Sequence, residues 1–132
     1  MAGVVVNDEG QVLVVQRRDN GDWQPPGGIL ELDETIEEGL RREVREETGI
    51  EITVGPLTGV YKNMRLSVVA LVFRCAYSSG AIGSSDETGQ VRWLSFEEAI
   101  AIMQDAFAVR VRDAMTTTNG AKQLSHNGTD AP

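Results

Sequence analysis

The chain is poor in several things that would each point somewhere specific. It has one cysteine, Cys75, so neither an intrachain disulfide nor a cysteine-rich zinc site can form within its 132 residues. Cys75 lies in the strand-like run LVFRCAY and is expected in the core. Histidine is as scarce: His126 is the only one and falls near the C-terminus, where it is expected to be solvated. Basic side chains number 12 against 20 acidic ones, for a formal net charge of −8. That balance argues against a nucleic-acid coat protein or a polybasic membrane binder. It leaves room for phosphorylated ligands, because bound divalent cations can reverse the local field. The opening, MAGVVVNDEGQ, has no basic stretch ahead of an apolar one and so does not read as a signal peptide. No apolar run reaches the ~20 residues that span a bilayer. A cytoplasmic protein is the expectation, with neither nucleic acid nor membrane as partner.

What is present suits one globular domain, with 41% hydrophobic residues to build a core. AGVVV and QVLVVQ read as strands joined by the turn NDEG. RRDNGDWQPPGG, with paired prolines and paired glycines, reads as a loop. A helical pattern runs from about Asp33 to Thr48, with Gly49 as its C-cap. IEITVGPLTGVYK and RLSVVALVFRCAY read as strands, SSGAIGSSDETG as a loop and QVRWL as a short strand. Ser95 and Glu98 make a capping-box pattern that opens a helix to about Met103, and a second helical piece runs over 106–115. The tail, TTTNGAKQLSHNGTDAP, has little to bury and is expected to be disordered. The order predicts an α+β fold with a mixed sheet between helices over residues 1–115, followed by a disordered tail over 116–132.

The segment LRREVREETGI, residues 40–50, poses the chemical question. At about 100° per residue, Ile36, Leu40 and Val44 form an apolar stripe. Glu43 and Glu47 lie near its centre and Glu46 flanks them, while Glu38, Arg41 and Arg45 point to solvent. A solvated helix stitched by Glu38–Arg42 and Arg42–Glu46 pairs explains part of the charge. It leaves Glu43 and Glu47 as inward carboxylates that repel one another, and burying an unpaired carboxylate costs several kcal/mol. Arg42 offsets part of that cost; a divalent cation would offset it better. Oxygen-only ligands favour Mg²⁺ or Mn²⁺ over zinc. Just upstream, Gly27 and Gly28 permit close backbone approach, which makes a loop carbonyl a further candidate ligand.

Gly28, five residues, Glu34, seven residues and then Arg42-Glu43-Val44-Arg45-Glu46-Glu47-Thr48-Gly49-Ile50 match the Nudix box throughout. The chain resembles the Nudix hydrolases over roughly residues 3–103, and VLVVQRR, DWQPPGG and DETGQVRWLSFEEA extend the likeness. The resemblance implies an α/β/α sandwich and hydrolysis of a nucleoside diphosphate linked to another group. It implies Glu46 and Glu47 as Mg²⁺ ligands, with Mn²⁺ able to substitute, and Glu43 as a ligand or as the base for the attacking water. Arg42 would hold the glutamates, Gly28 would offer its carbonyl, and Glu34 would help from the helix start. A further acidic ligand is expected from Asp86 or Glu87, with Glu87 favoured. Pro25, Asp33 and Gly39 depart from the common pattern without touching a proposed ligand.

Arg17 or Arg18 is a candidate to neutralise charge on the leaving phosphate, against a solvated strand end for both. Trp23 or Tyr61 could stack on a base, against packing for each. No proline follows Pro56 until Pro132, unlike the ADP-ribose subfamilies of the family that the chain resembles, and dinucleoside-polyphosphate types favour a tyrosine further downstream than Tyr61. The expectation is a small-molecule nucleotide substrate, a nucleoside triphosphate cleaved to monophosphate and pyrophosphate. ADP-ribose or another nucleotide sugar is the alternative, and a non-catalytic nucleotide sensor is the alternative of a different kind. Between monomer and homodimer the sequence does not choose.

Overall fold

In a computed structural model of the chain, residues 1–83, 85–86, 88–116 and 120–130 are described. Strands β1 (Ala2–Val6) and β2 (Val12–Arg17) form an antiparallel hairpin. Its turn is built by Asn7, whose side-chain oxygen accepts from the amides of Glu9 and Gln11 at 3.0 and 2.9 Å, and by Gly10 at φ +78°. Then come β3 (Trp23–Gln24), α1 (Ile36–Thr48), β4 (Glu51–Asn63), β5 (Val68–Ser79) and β6 (Thr88–Leu94). Helices α2 (Phe96–Ile102) and α3 (Asp105–Thr116) and strand β7 (Lys122–His126) complete the described elements.

The strand order is β3-β2-β1-β5-β4-β7, with β6 pairing on β2. β1 runs parallel to β5 and β7 parallel to β4; the remaining pairs are antiparallel. Alternation along the central strands divides the apolar side chains between two cores. Val4, Val12, Val14, Tyr61 and Val72 meet Ala108, Val111 and Ala114 of α3 and Ala99 of α2. Val5, Leu13, Ile52 and Cys75 meet Leu40 and Val44 of α1. Helices therefore cover both faces of a mixed sheet, as the α+β reading requires. Cys75 is buried as expected, and burial pushes its thiol up to about 12. Among the described residues, no helix is long and apolar enough to cross a membrane.

Three details differ from the sequence reading. Helix α1 starts at Ile36 because Thr35 caps it: Thr35 Oγ1 accepts from the Glu38 amide at 3.1 Å, and the Glu38 carboxylate accepts from the Thr35 amide at 3.0 Å. Ile36 is 41% exposed, so the buried stripe begins one turn later, at Leu40. Trp23–Gln24, placed in a loop from the sequence, is a short strand paired to β2.

The larger correction concerns the tail. The sequence expectation of disorder over 116–132 falls partly on residues outside the described ones, 117–119 and 131–132; within the described part, β7 adds to the edge of β4 in parallel, from Gly59↔Lys122 to Asn63↔His126. His126 is 3% exposed rather than solvated, and the Thr129 carbonyl accepts from the Ala106 amide at 3.0 Å. The cause is long-range: β4 presents an open row of backbone groups, and Leu124 finds a core to pack against.

Candidate active site on the acidic helix

Helix α1 directs its carboxylates as its geometry demands. The side chain of Glu43 is 14% exposed, Glu47 as a residue 5%, and the side chain of Glu46 59%. Arg42 ties the group together. Its Nε and Nη2 reach Glu34 at 2.6 and 2.9 Å, and its Nη1 reaches Glu43 at 2.9 Å and Glu46 at 3.2 Å. The Glu34 carboxylate holds the Arg42 guanidinium still more firmly protonated, and Arg42 in turn holds the Glu34 carboxyl below the usual range. The Arg42–Glu46 pair forms as expected. Glu38 is spent on capping Thr35 instead of meeting Arg42.

The glycine pair explains itself by distance. The 26–28 segment lies against the start of β1: Gly3 donates to the Pro26 carbonyl at 2.9 Å, Gly28 to the Met1 carbonyl at 3.0 Å, and Ala2 bridges Gly27. A Cβ on Gly27 would sit 2.2 Å from the Met1 carbonyl oxygen; one on Gly28 would sit 2.4 Å from the Glu43 carboxylate carbon. The Gly27 amide donates to Glu47 Oε1 at 2.9 Å. This loop thus fixes one glutamate by hydrogen bond and leaves room for the other by lacking a side chain. The Gly28 carbonyl accepts from the Met1 α-amine at 3.0 Å.

Glu43, Glu47, Gly27 and Gly28 line an open cavity of about 520 Å³, with Arg17, Arg18, Asp19, Gln24, Asp86 and Thr88 around them. Arg17 is paired with Asp19 at 2.9 Å. Arg18 Nε donates to the Thr88 carbonyl at 2.7 Å. Both arginines line the cavity and are at the same time exposed, at and just past the end of β2, as a solvated strand end would be. Of the two acids weighed for the following loop, Asp86 lines the cavity and Glu87 lies outside the described residues.

Two of the aromatic expectations change. Tyr61 is fully buried, donates its hydroxyl to Asp113 Oδ2 at 2.7 Å and lies 5.3 Å under the Arg110 guanidinium, so its ring is not available to a base. Trp23 packs half-buried against the α2/α3 core; its neighbour Gln24 lines the cavity. Gln24 and Thr88 were not singled out in the sequence. Successive strand residues point to opposite faces, which is the signal that could have moved attention from Trp23 to Gln24. Thr88 has no such local signal. It is 2% exposed, and its hydroxyl donates to the Glu47 carbonyl at 3.3 Å and accepts from the Ser85 amide at 3.0 Å. It fastens the loop before β6 to the C-terminal end of α1.

The donor set at the cavity is carboxylate and backbone carbonyl oxygen, which suits a hard divalent cation. Among the described residues, no three acidic or imidazole side chains already stand together as a cage, because Glu46 is turned towards Arg42 and solvent. The carboxylates of Glu43 and Glu47 are the groups at the cavity whose chemistry fits such an ion, while the Gly28 carbonyl is engaged by the Met1 α-amine.

Comparison with known proteins agrees with this geometry. The NUDIX domain family profile matches residues 1–115. A MutT-like protein of Streptomyces ambofaciens is 49% identical over 128 residues, covering 97% of this chain and 82% of that protein. The nucleoside triphosphatase NudI of Salmonella agona is 30% identical over 112 residues, covering 71% of this chain and 79% of that protein. An ADP-ribose pyrophosphatase of Methanocaldococcus jannaschii is 28% identical over 123 residues, covering 88% and 72%. With a matching profile over residues 1–115 and a relative 49% identical over nearly the whole chain, the chain belongs to the NUDIX family.

Proposed function

We propose that this pyrophosphohydrolase cleaves a nucleoside triphosphate to the monophosphate and pyrophosphate in the presence of Mg²⁺, with Mn²⁺ able to replace it. The observation that carries the reading is the pair of inward carboxylates, Glu43 and Glu47, facing the same cavity as Arg17 and Arg18. Carboxylates and guanidinium groups lining one open space suit a polyphosphate whose charge is shared between cation and guanidinium. The ion would be held by Glu47, with Glu46, an acid of the 86–87 loop and, once released by the Met1 α-amine, the Gly28 carbonyl able to join, which leaves Glu43 to the attacking water. When bound it screens the phosphate charge and acidifies a water.

The chain's own residues do the rest. Glu43 faces the cavity and takes the proton of the attacking water. Arg42 keeps that carboxylate in one orientation through its Nη1 bond. The Gly27 amide does the same for Glu47. Arg17 and Arg18 line the same cavity and would meet the negative charge that grows on the departing phosphate. No serine, cysteine or histidine nucleophile stands among the residues lining the cavity.

The test is a panel of nucleoside triphosphates, ADP-ribose and nucleotide sugars with Mg²⁺ or Mn²⁺, read by chromatography of the products. Monophosphate with pyrophosphate is the expected outcome. Orthophosphate as the sole inorganic product would overturn it. Faster turnover of ADP-ribose would favour the second reading, which the Methanocaldococcus relative supports.

A further inference from the structure

Two exposed apolar patches leave the same end of the sheet with opposite charge. The first is the loop after Gly28 and the first turn of α1, where Ile29, Leu32 and Ile36 are 86%, 105% and 41% exposed. Residues 29–38 hold five carboxylates and no cation; Arg42 from the next turns of α1 pairs with Glu31 and Glu34, so Asp33, Glu37 and Glu38 carry the excess negative charge. The second is the tip of the β4–β5 hairpin, where Met64, Leu66, Val68 and Val69 are 59%, 71%, 54% and 54% exposed. Residues 52–85 contain no carboxylate, in a chain with 20 of them, while Lys62 and Arg65 flank the tip.

The register places the patches together. Val72 pairs with Ala2, and Ala2 bridges Gly27. The β5 residues before Val72 and the loop after Gly28 therefore both pass beyond the start of β1. Neither patch covers the other within one molecule, since both are exposed. Leaving this much apolar surface in water is unfavourable by about 25 cal/mol per Å², and such patches mark contact surfaces.

We propose that this end of the molecule docks a second copy of the chain, the basic hairpin tip of each seated on the acidic loop of the other. The charges select the occupant. A surface rich in carboxylates repels a second surface like itself, and the long carboxylate-free segment is the complementary element that every copy carries. Two patches of opposite sign side by side meet their counterparts twice across a two-fold axis, which closes the assembly at two. Ile29 belongs both to the acidic patch and to the cavity lining, so the docked tip borders the mouth of the site. The inference does not depend on which nucleotide the site takes.

Sedimentation velocity of the 132-residue protein, from micromolar to several hundred micromolar, tests it at about 0.05 M and about 0.5 M salt. A dimer at low salt that weakens several-fold at high salt is expected. Leu66→Glu should sediment as a monomer with an unchanged melting temperature, since the side chain is exposed. The double variants Lys62→Glu/Arg65→Glu and Asp33→Lys/Glu37→Lys should each be monomeric, and an equimolar mixture of the two should recover the dimer. A monomer for the unmodified chain at every concentration overturns the proposal. A dimer untouched by Leu66→Glu overturns it too, by placing the interface elsewhere. Failure of the mixed variants to recover a dimer removes the charge argument and the choice of occupant with it.

Discussion

Glu47 on α1 and Arg110 on α3 are both buried charges, 5% and 9% exposed, on opposite faces of one sheet. Their surroundings differ. Glu47 accepts a backbone hydrogen bond from Gly27 and looks into an open cavity beside a second carboxylate. Arg110 looks into the fold: its guanidinium lies 4.9 Å from the Phe107 ring and 5.3 Å from the Tyr61 ring, and its Nε has no hydrogen-bond partner among the described residues. Burial lowers the affinity of Arg110 for its proton. The aromatic faces are its main compensation. One face therefore concentrates charge where a ligand can answer it, and the other encloses charge within packing. Substitutions on the first should cost activity with little stability, and on the second the reverse.

The largest expected effect is on the α1 face. Glu47→Gln keeps the shape of the side chain and an oxygen for the Gly27 amide, while removing a cation ligand. Turnover should fall by more than about 100-fold, beyond what loss of a group supporting a metal ligand costs, with the melting temperature in the absence of metal equal or slightly higher. The same variant should lose most of the thermal stabilisation that millimolar Mg²⁺ gives the unmodified chain. Near-normal turnover at saturating Mg²⁺ would remove Glu47 from the site.

Next in size is Gly28→Ala. The added methyl meets the Glu43 carboxylate at 2.4 Å, so that side chain must move, and the position resembles a supporting group whose loss costs about 10–100-fold in activity. Stability should change little, because the obstacle is the end of a movable side chain. Gly27→Ala, one residue away, meets backbone at 2.2 Å and should unfold or strongly destabilise the protein. Equal stability losses in the two variants would show that the loop yields as a unit.

The α1 face was also the legible one. Its carboxylates sit in a contiguous helical pattern, so azimuth alone separated inward Glu43 and Glu47 from outward Arg41 and Arg45, and a spaced motif named Gly28 and Glu34. The far face gave less, for a physical reason. β7 exists because of a parallel pairing between residues more than sixty positions apart, and KQLSH carries no local mark of it. Tyr61 illustrates the same limit: an aromatic in a strand is equally consistent with a stacking platform or a core, and only Asp113 and Arg110, supplied by a distant helix, decide it. Glu46 was legible as a member of the motif, but its exposed rotamer follows from competition for Arg42.

A smaller effect tests the far face directly. Tyr61→Phe deletes the hydroxyl that donates to Asp113 at 2.7 Å while keeping the ring under Arg110. The loss should be about 1.5 kcal/mol, the lower end for a hydrogen bond to a charged group, seen in denaturant unfolding with KM and kcat unchanged. A change in KM alone would return Tyr61 to the substrate.

The smallest effect separates the faces by pH. His126 is held neutral by burial first and by the Arg110 charge second, both of which lower its pKa from 6.5. Its Nδ1 accepts from the Gly128 amide at 2.9 Å, so the neutral ring carries its proton on Nε2, and protonating Nδ1 would break that bond. A folded pKa below the unfolded one means that the contribution is complete above about 6.5 and is lost as pH falls through the folded value. On the α1 face the sign is the same but the window is lower, because Arg42 depresses Glu34 from an ordinary 4.5. Between about pH 8 and pH 5.5, hydrogen-exchange protection corrected for the intrinsic rate should therefore fall for the amides of 122–126 and hold for those of 40–48. His126→Gln should flatten the first response, since it cannot acquire the charge. Parallel loss on both faces would mean that the sheet opens as one unit and that β7 is not separately sensitive to protonation.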